Sequence, residues 1–372
     1  LRVIIAVGHG GIYSGGSYQS LWALSALKDA GVEVMAVWGD DIEGDPKGFD
    51  SLKNLDIPYK LMPINRRATL KSVYQLRQFI KDFQPDVLEC VKGKAQHHGL
   101  LASLGLRKHA IVYYRGVSQK LDLFQGMRYR LPRVDRLIAN CEDLKGVMVE
   151  SGRINPNKID VVYGQFAPFC TDPEQVDAKT FRSELGIPEQ ATLITQLGNW
   201  ASWRGQDITI RAVTTLRKRG HNVHLLFAGR DTDKLQPLVK EVNGDYFITI
   251  SPFRRDPERV LKATEIAVNA STGVESLPGT LINVQAMGIP AVASSVPGAA
   301  EVVEDGTTGI MVPPGDVDSL SNALESLLNM DSIQFNNMKT AARVRALKLF
   351  SPDTRVQRRL ECYRKAIENR RR

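Results

Sequence analysis

The feature that most constrains this chain is an alternation that runs twice along it. Short apolar segments recur, and stretches with helical spacing separate them. Residues 2–7, 32–37, 86–91, 109–114 and 136–140 read as strands, with helices predicted over 17–30 and 68–82. The pattern restarts at 192–198 and continues through helix 207–219, strands 223–228 and 246–250, helix 256–264, strand 265–269 and helix 317–330. Apolar strands joined through helices specify a parallel sheet covered on both faces, because a parallel neighbour needs a long crossover. At 372 residues the chain is also too long for one ordinary core. The expected fold class is therefore α/β, with two Rossmann-like doubly wound domains whose strand ends face a cleft, where such sheets bind ligands. The segment 165–178, with Pro168 and Pro173, is the expected linker. The predicted domains are 1–168 and 169–350, followed by a tail helix, within 351–372, that starts at Ser351-Pro352.

Charge and cysteine usage narrow the partners. A net charge of +8 favours anionic ligands such as a nucleotide diphosphate or an anionic lipid headgroup. No nucleic-acid-binding module is recognisable, so nucleic acid is not an expected partner. No apolar run is long enough to span a membrane. Leu1–Val7 reads as a first strand and not as a secretory leader. Cys90, Cys141, Cys170 and Cys362 are scattered, which suggests a reducing, cytoplasmic setting without a disulfide framework. Asp40-Asp41 is not a convincing metal site, and no cluster with ligand spacing is found, so no metal is expected.

Residues 271–316 carry the chemistry. Glu275 precedes Ser276-Leu277-Pro278-Gly279-Thr280, a helix is predicted from Thr280 or Leu281 to about Met287, and Gly288-Ile289-Pro290 leads into the strand Ala291–Ser294. A loop entering a helix offers free backbone N–H groups and the positive end of the helix dipole to a phosphate. A carboxylate beside it can accept hydrogen bonds from sugar hydroxyls. Phosphate next to sugar suggests a nucleotide-sugar.

With Gly288-Ile289-Pro290-Ala291-Val292, Gly298-Ala299-Ala300-Glu301-Val302 and Pro313-Pro314-Gly315-Asp316 following Glu275 in order and spacing, the chain resembles the retaining GT-B glycosyltransferases of family 4 (glycosyl transferases group 1). The resemblance runs from Gly15-Gly16 to the tail helix, which it implies packs back toward the N-terminal domain. It implies that Glu275 contacts the donor sugar and that the backbone of Gly279, Thr280 and Leu281 meets the diphosphate. Gly198–Gly205 stands at the family's Gly-Arg-x4-Lys-Gly loop, with Asn199 in place of Arg and Arg204 in place of Lys; Arg204 is then the main cation for the leaving diphosphate. Arg254 or Arg255 is a candidate second cation. Asn283 replaces a carboxylate that in relatives holds the ribose, giving up a charge-assisted hydrogen bond worth about 1.5–3 kcal/mol. Gly15 and Gly16 fit the family's phosphate loop, and Arg115 takes the place of a histidine near the sugar. Glu275, Arg204 and Arg115 are thus the expected catalytic residues, and His97 and His98 the candidate acceptor contacts.

The activity implied is transfer of a sugar, with retained configuration and no metal or other cofactor, from a UDP- or GDP-type sugar to a glycan or lipid-linked acceptor in polysaccharide, lipopolysaccharide or glycolipid assembly. The basic amphipathic segments 65–83 and 124–136, the latter with Phe124, Arg128, Tyr129, Arg130, Arg133 and Arg136, suggest a peripheral position on an anionic membrane surface. Two alternatives stay open. One is a small soluble acceptor. The other is a non-catalytic sugar-nucleotide-binding homologue, motivated by Asn199 and Asn283.

Overall fold

The structure is a computed structural model and describes residues 1–12, 14–40, 49–273 and 275–371. It divides into two compact units, one made of Leu1–Gln165 with the segment from Ser351 onward, the other of Phe166–Phe350. The division falls at Gln165, where the sequence placed a boundary at 168.

In the first unit the order is β1 (Arg2–Val7), α1 (Gly15–Asp29), β2 (Glu33–Gly39), α2 (Asp50–Asn54), β3 (Tyr59–Met62), α3 (Leu70–Phe83), β4 (Val87–Val91), α4 (Gly93–Ala102), β5 (Ala110–Arg115), α5 (Leu123–Arg130), β6 (Arg136–Ala139), α6 (Glu142–Gly152) and β7 (Ile159–Val161). All seven strands are parallel, in the order β3-β2-β1-β4-β5-β6-β7. The direction of winding reverses between β1 and β4, which creates a switch point at their carboxyl ends. Val3, Ile5, Val7, Val87 and Val91 form the middle of the core, with Leu24 and Leu27 of α1 against them.

The second unit runs α7 (Phe181–Glu184), β8 (Thr192–Leu197), α8 (Gln206–Lys218), β9 (Val223–Ala228), α9 (Gln236–Glu241), β10 (Ile248–Ser251), α10 (Pro257–Ala263), β11 (Ile266–Asn269), α11 (Gly279–Ala286), β12 (Ala291–Ser294), α12 (Ala299–Val302), β13 (Gly309–Val312), α13 (Val317–Leu328) and α14 (Ser332–Phe350). Its six parallel strands are ordered β10-β9-β8-β11-β12-β13, and the switch point lies between β8 and β11. The chain then re-enters the first unit as α15 (Pro352–Arg371), which adds Val356, Cys362, Tyr363 and Ala366 to that unit's core.

The return of α15 is fixed by charge as well as by apolar surface. Glu89 of β4 is fully buried. It accepts a hydrogen bond from the Tyr363 hydroxyl at 2.6 Å and lies 3.3 Å from Arg359, itself 2% exposed. Arg355, 3% exposed, donates to Gln165 at 3.2 Å. Burial and the neighbouring Arg359 push the Arg355 guanidinium down to about 10.

Several expectations are corrected here. Residues 166–176 are not a loose linker, because the second unit holds them. Arg343 donates to the carbonyls of Cys170 and Thr171 at 2.8 Å each, and the Ala167 N–H donates to the Asn283 side chain at 2.8 Å. In segment 124–136, Tyr129 and Arg136 are buried, Arg136 against Asp160 at 2.5 Å, and Arg133 reaches Asp135 at 3.3 Å. Tyr129 and Arg136 are interior groups and Arg133 is half-buried in an ion pair, so these three do not form a basic surface. The tail helix runs to Arg371, and β3, β7 and α14 were not anticipated. The four cysteines are buried, and none forms a disulfide. No helix among the described residues is long and apolar enough to cross a membrane.

Two buried histidines make stability depend on acid. His109 Nε2 accepts from Arg133 at 3.0 Å, and burial, then Arg133 and Arg370, hold its imidazolium down to about 3. In the second unit, burial followed by Arg182 and Arg217 holds His224 down to about 4. Both folded values lie below the unfolded value near 6.5, so the unfolded chain takes up protons first as pH falls. Their contribution is complete above that value and is lost on descent through pH 6.5 toward 3–4. Each is expected to cost about 2 kcal/mol by pH 5. Urea unfolding at pH 7 and pH 5 measures this, and an unchanged midpoint would mean that the imidazoles titrate normally in place.

Candidate functional site

At the switch point of the second unit, the loops after β8 and β11 converge on the start of α11. Two glycines make the approach possible. Gly205 (φ +61°) and Gly298 (φ +77°) have left-handed backbone, and a Cβ on either would collide with a carbonyl, that of Ala270 or of Ser276 respectively. Thr272 then ties the two loops through its N–H, which donates to the Trp203 carbonyl at 2.8 Å. Behind the loops, the Gln196 side chain donates to the Arg204 carbonyl at 2.8 Å and accepts from Thr209 at 2.7 Å.

A small pocket results, lined among others by Gly198, Arg204, Gln206, Asn269, Thr280 and Leu281. Arg204 lies 3.4 Å from Glu275, and its guanidinium sits 4.7 Å from the centre of the Trp203 ring. Glu275 is only 8% exposed, and its other carboxylate oxygen accepts from Asn269 at 3.1 Å. The first turn of α11 begins at Gly279 after Pro278, which supplies no side-chain cap. The opening amides of a helix have no intrahelical partner, so here they are available to an anion. The structure thus brings together Arg204, Glu275, Gly279, Thr280 and Leu281.

Two other expected donor residues have different work. Asn199 accepts from the Arg230 N–H at 3.0 Å, which holds the loop after β9. The side-chain carbonyl of Asn283 is taken by Ala167, so an acceptor expected to face a ribose is engaged in the backbone of its own unit. Arg254 pairs with Asp256 at 2.6 Å, and Arg255 is exposed. Trp203, Asn269 and Gln206 were missed from sequence. Gln206 is 2% exposed with its side-chain carbonyl unpartnered, and its position directly after Arg204-Gly205 was the available signal.

In the first unit, Gly15 and Gly16 open α1 behind a capping box, in which the Ser14 side chain accepts from the Ser17 N–H at 3.3 Å. A Cβ on Gly16 would lie 3.2 Å from the His9 ring. His9 follows β1, and burial, then Lys92, hold its imidazolium down to about 3. Lys92, directly after β4, has φ 74° and ψ 150°, a region that L-residues seldom occupy. His9 and Lys92 therefore mark this unit's own switch point, and neither was singled out from sequence. Arg115 ends β5, donates to the Gln119 carbonyl at 2.5 Å and makes no ion pair among the described residues. The two candidate histidines separate. His98 is buried, with one ring nitrogen 2.9 Å from Ser72 Oγ and the other 2.9 Å from the Lys94 carbonyl; it clips α3 to α4 and has no ring nitrogen left for an acceptor. His97 is exposed, with Nε2 3.0 Å from Arg128. Asp40 lies 3.8 Å from Arg66, whereas Asp41 lies outside the described residues. Among the described residues no three His, Cys, Asp or Glu side chains gather to hold a metal ion.

Residues 15–164 match the family model "Glycosyltransferase Family 4", and residues 191–330 match "Glycosyl transferases group 1". The chain belongs to glycosyltransferase family 4. A family 4 relative, D-inositol 3-phosphate glycosyltransferase of Mycobacterium marinum, is 28% identical over 251 residues, covering 65% of this chain and 52% of the relative. The chain spans about half the length of the curated relatives it matches. Among solved structures, a glycosyltransferase from Rickettsia africae superposes with a TM-score of 0.88 at 19% identity, covering 99% of both chains. The Anabaena protein HepE, solved with UDP, superposes at 0.82 and 19% identity over 97% of this chain and 99% of that one. These likenesses establish the two-domain GT-B fold for this family 4 chain.

Proposed function

We infer that the protein transfers a sugar from a nucleoside diphosphate to an acceptor hydroxyl, with retention of configuration and without a metal. The observation that carries this reading is the Arg204–Glu275 pair at 3.4 Å, set against the uncapped first turn of α11. As the glycosidic bond to the diphosphate lengthens, negative charge grows on the leaving oxygen. Arg204 and the amides of Gly279, Thr280 and Leu281 are placed to stabilise it, and fixed donors of this kind are effective because they need no reorganisation during reaction. Glu275 receives the sugar hydroxyls. It exchanges its contact with Arg204 for them as the guanidinium turns to phosphate, and Trp203 and Asn269 hold the two side chains in place. No side chain here is assigned as a covalent nucleophile, so attack occurs on the face the diphosphate leaves, and the leaving phosphate accepts the acceptor's proton. HepE, solved with UDP and with UDP-glucose, supports a UDP-type donor. The first unit recognises the acceptor, in assembly of polysaccharide, lipopolysaccharide or glycolipid, with Arg115 and His97 as its contacts.

A second reading, sugar-nucleotide binding without transfer, is favoured by Asn199 and Asn283, whose side-chain carbonyls serve the backbone. Titration of UDP, GDP and their sugars by thermal shift, with Glu275→Ala alongside, tests the first reading. One base should give a saturable shift that is weakened in the variant, with release of free diphosphate over time. A shift without diphosphate release under any acceptor would favour the second reading, and no shift with any nucleotide would remove both.

A further inference from the structure

We propose that Gln206 is a positioning residue for sugar transfer: its side-chain carbonyl holds the Arg204 guanidinium in line with the diphosphate once that group has left Glu275. Gln206 is the first residue of α8 and is 2% exposed, and its Oε1 has no hydrogen-bond partner among the described residues. A buried acceptor without a donor has given up its hydration for nothing, and such groups are uncommon in folded proteins. Here the orphan oxygen belongs to a side chain that lines the same pocket as Arg204. Both side chains flank Gly198. The Gln206 amide donates to the Gly198 carbonyl at 3.5 Å, and a Cβ on Gly198 would lie 3.1 Å from Arg204 Nη1. Gly198 is itself fixed. Its N–H donates to the Ala228 carbonyl at 2.9 Å, and Gly229 packs so closely on its carbonyl that a Cβ there would collide.

Arg204 is the donor suited to that oxygen. The other amides lining the pocket are engaged, that of Gln196 with the Arg204 carbonyl at 2.8 Å and that of Asn269 with Glu275 at 3.1 Å. A guanidinium carries five N–H groups in a planar fork, and the contact with Glu275, at 3.4 Å through Nη1, leaves others to give. When one edge of the fork grips phosphate, the second edge still has N–H groups to place. An acceptor on that second edge sets the plane of the fork. Glu275 and Gln206 are then alternative partners of one cation. The carboxylate holds it before a nucleotide binds. The neutral carbonyl holds it afterwards, without competing with phosphate as a second charge would. That the anion is a leaving diphosphate rests on the transfer reading above.

Titration calorimetry of the full chain with UDP and with GDP tests the assignment. Gln206→Leu should weaken the nucleotide that binds by about tenfold, a loss typical of one hydrogen bond to a charged group. The same substitution added to Arg204→Ala should cost less than about twofold, because the carbonyl then has nothing to hold. Arg204→Lys gives the comparison should the alanine variant bind too weakly to measure, since an ammonium has no plane to set. The melting temperature of the nucleotide-free Gln206→Leu protein should be unchanged or higher, as an apolar group replaces an unpaired acceptor. An equal loss in both backgrounds, no loss in the parent background, or a lower melting temperature would overturn the proposal, the last by making Gln206 a structural part of the loop. Binding of neither nucleotide by the parent would overturn it together with the transfer reading, whereas binding indifferent to Gln206 would overturn it alone.

Discussion

Replacing Arg204 with alanine is expected to lower turnover at saturating donor by about 10²–10³-fold, the loss seen when one fixed donor is removed from developing charge. The guanidinium is the cation placed at the pocket by the loop after β8. Its family counterpart to the N-terminal side is Asn199 here, engaged with the Arg230 amide. The substitution also deprives Glu275, 8% exposed, of its cation and leaves it Asn269. Some loss of stability should therefore accompany the loss of rate. Arg204→Lys separates the two effects, because it restores charge to Glu275 but not the two-point grip on phosphate. It should recover thermal stability and only part of the turnover. If Arg204→Ala stayed within threefold of the parent while folded, another group would have to stabilise the leaving diphosphate.

The largest effect on stability is expected far from this pocket. Glu89→Gln should destabilise the first unit by about 3–5 kcal/mol, the usual consequence of taking one partner from a buried ion pair. Arg359 would be left charged at 2% exposure, next to Arg355 at 3%. Replacing the set by apolar residues, as in Glu89→Leu with Arg359→Met, should recover much of the loss, since desolvation of the pair is then removed as well. Urea unfolding of the single and double variants measures both. A cost below 1 kcal/mol for Glu89→Gln would mean that water reaches the pair.

The second unit was the more legible from sequence, for a physical reason. The pocket proposed there for phosphate and sugar is built from loops a few residues long whose glycines, helix start and carboxylate are close in sequence, so the 271–316 spacing points to where they meet. The roles of Asn199 and Asn283 were illegible because each bonds a backbone amide distant in sequence, and an amide side chain does not reveal its partner. Arg133 and Arg136 looked like a basic face until Asp135 and Asp160 were placed beside them. His97 and His98 are adjacent in sequence, yet on a helix adjacent residues point different ways, which sends one to solvent and the other to Ser72. Helix α14 escaped because its buried stripe is Met338, Ala342, Ala346 and Phe350, in which two of four positions are too small to give a strong apolar period. Strand β3 is four residues at a sheet edge and includes Lys60, so it lacks the apolar run that marks its neighbours.

The return of α15 to the first unit also bears on how the protein is made. The first unit is interrupted by the whole of Phe166–Phe350, and Tyr363 and Arg359, the partners of Glu89, are synthesised only after that insert. At about 5–20 residues per second, the ribosome needs roughly 10–40 s to travel from Gln165 to the end of α15. Throughout that interval the β4 carboxylate and the apolar surface that α15 covers stand without their partners, whereas the second unit has all of its own chain once Phe350 is made, before α15 begins. The inserted unit is therefore expected to finish folding on the ribosome before the one that began first.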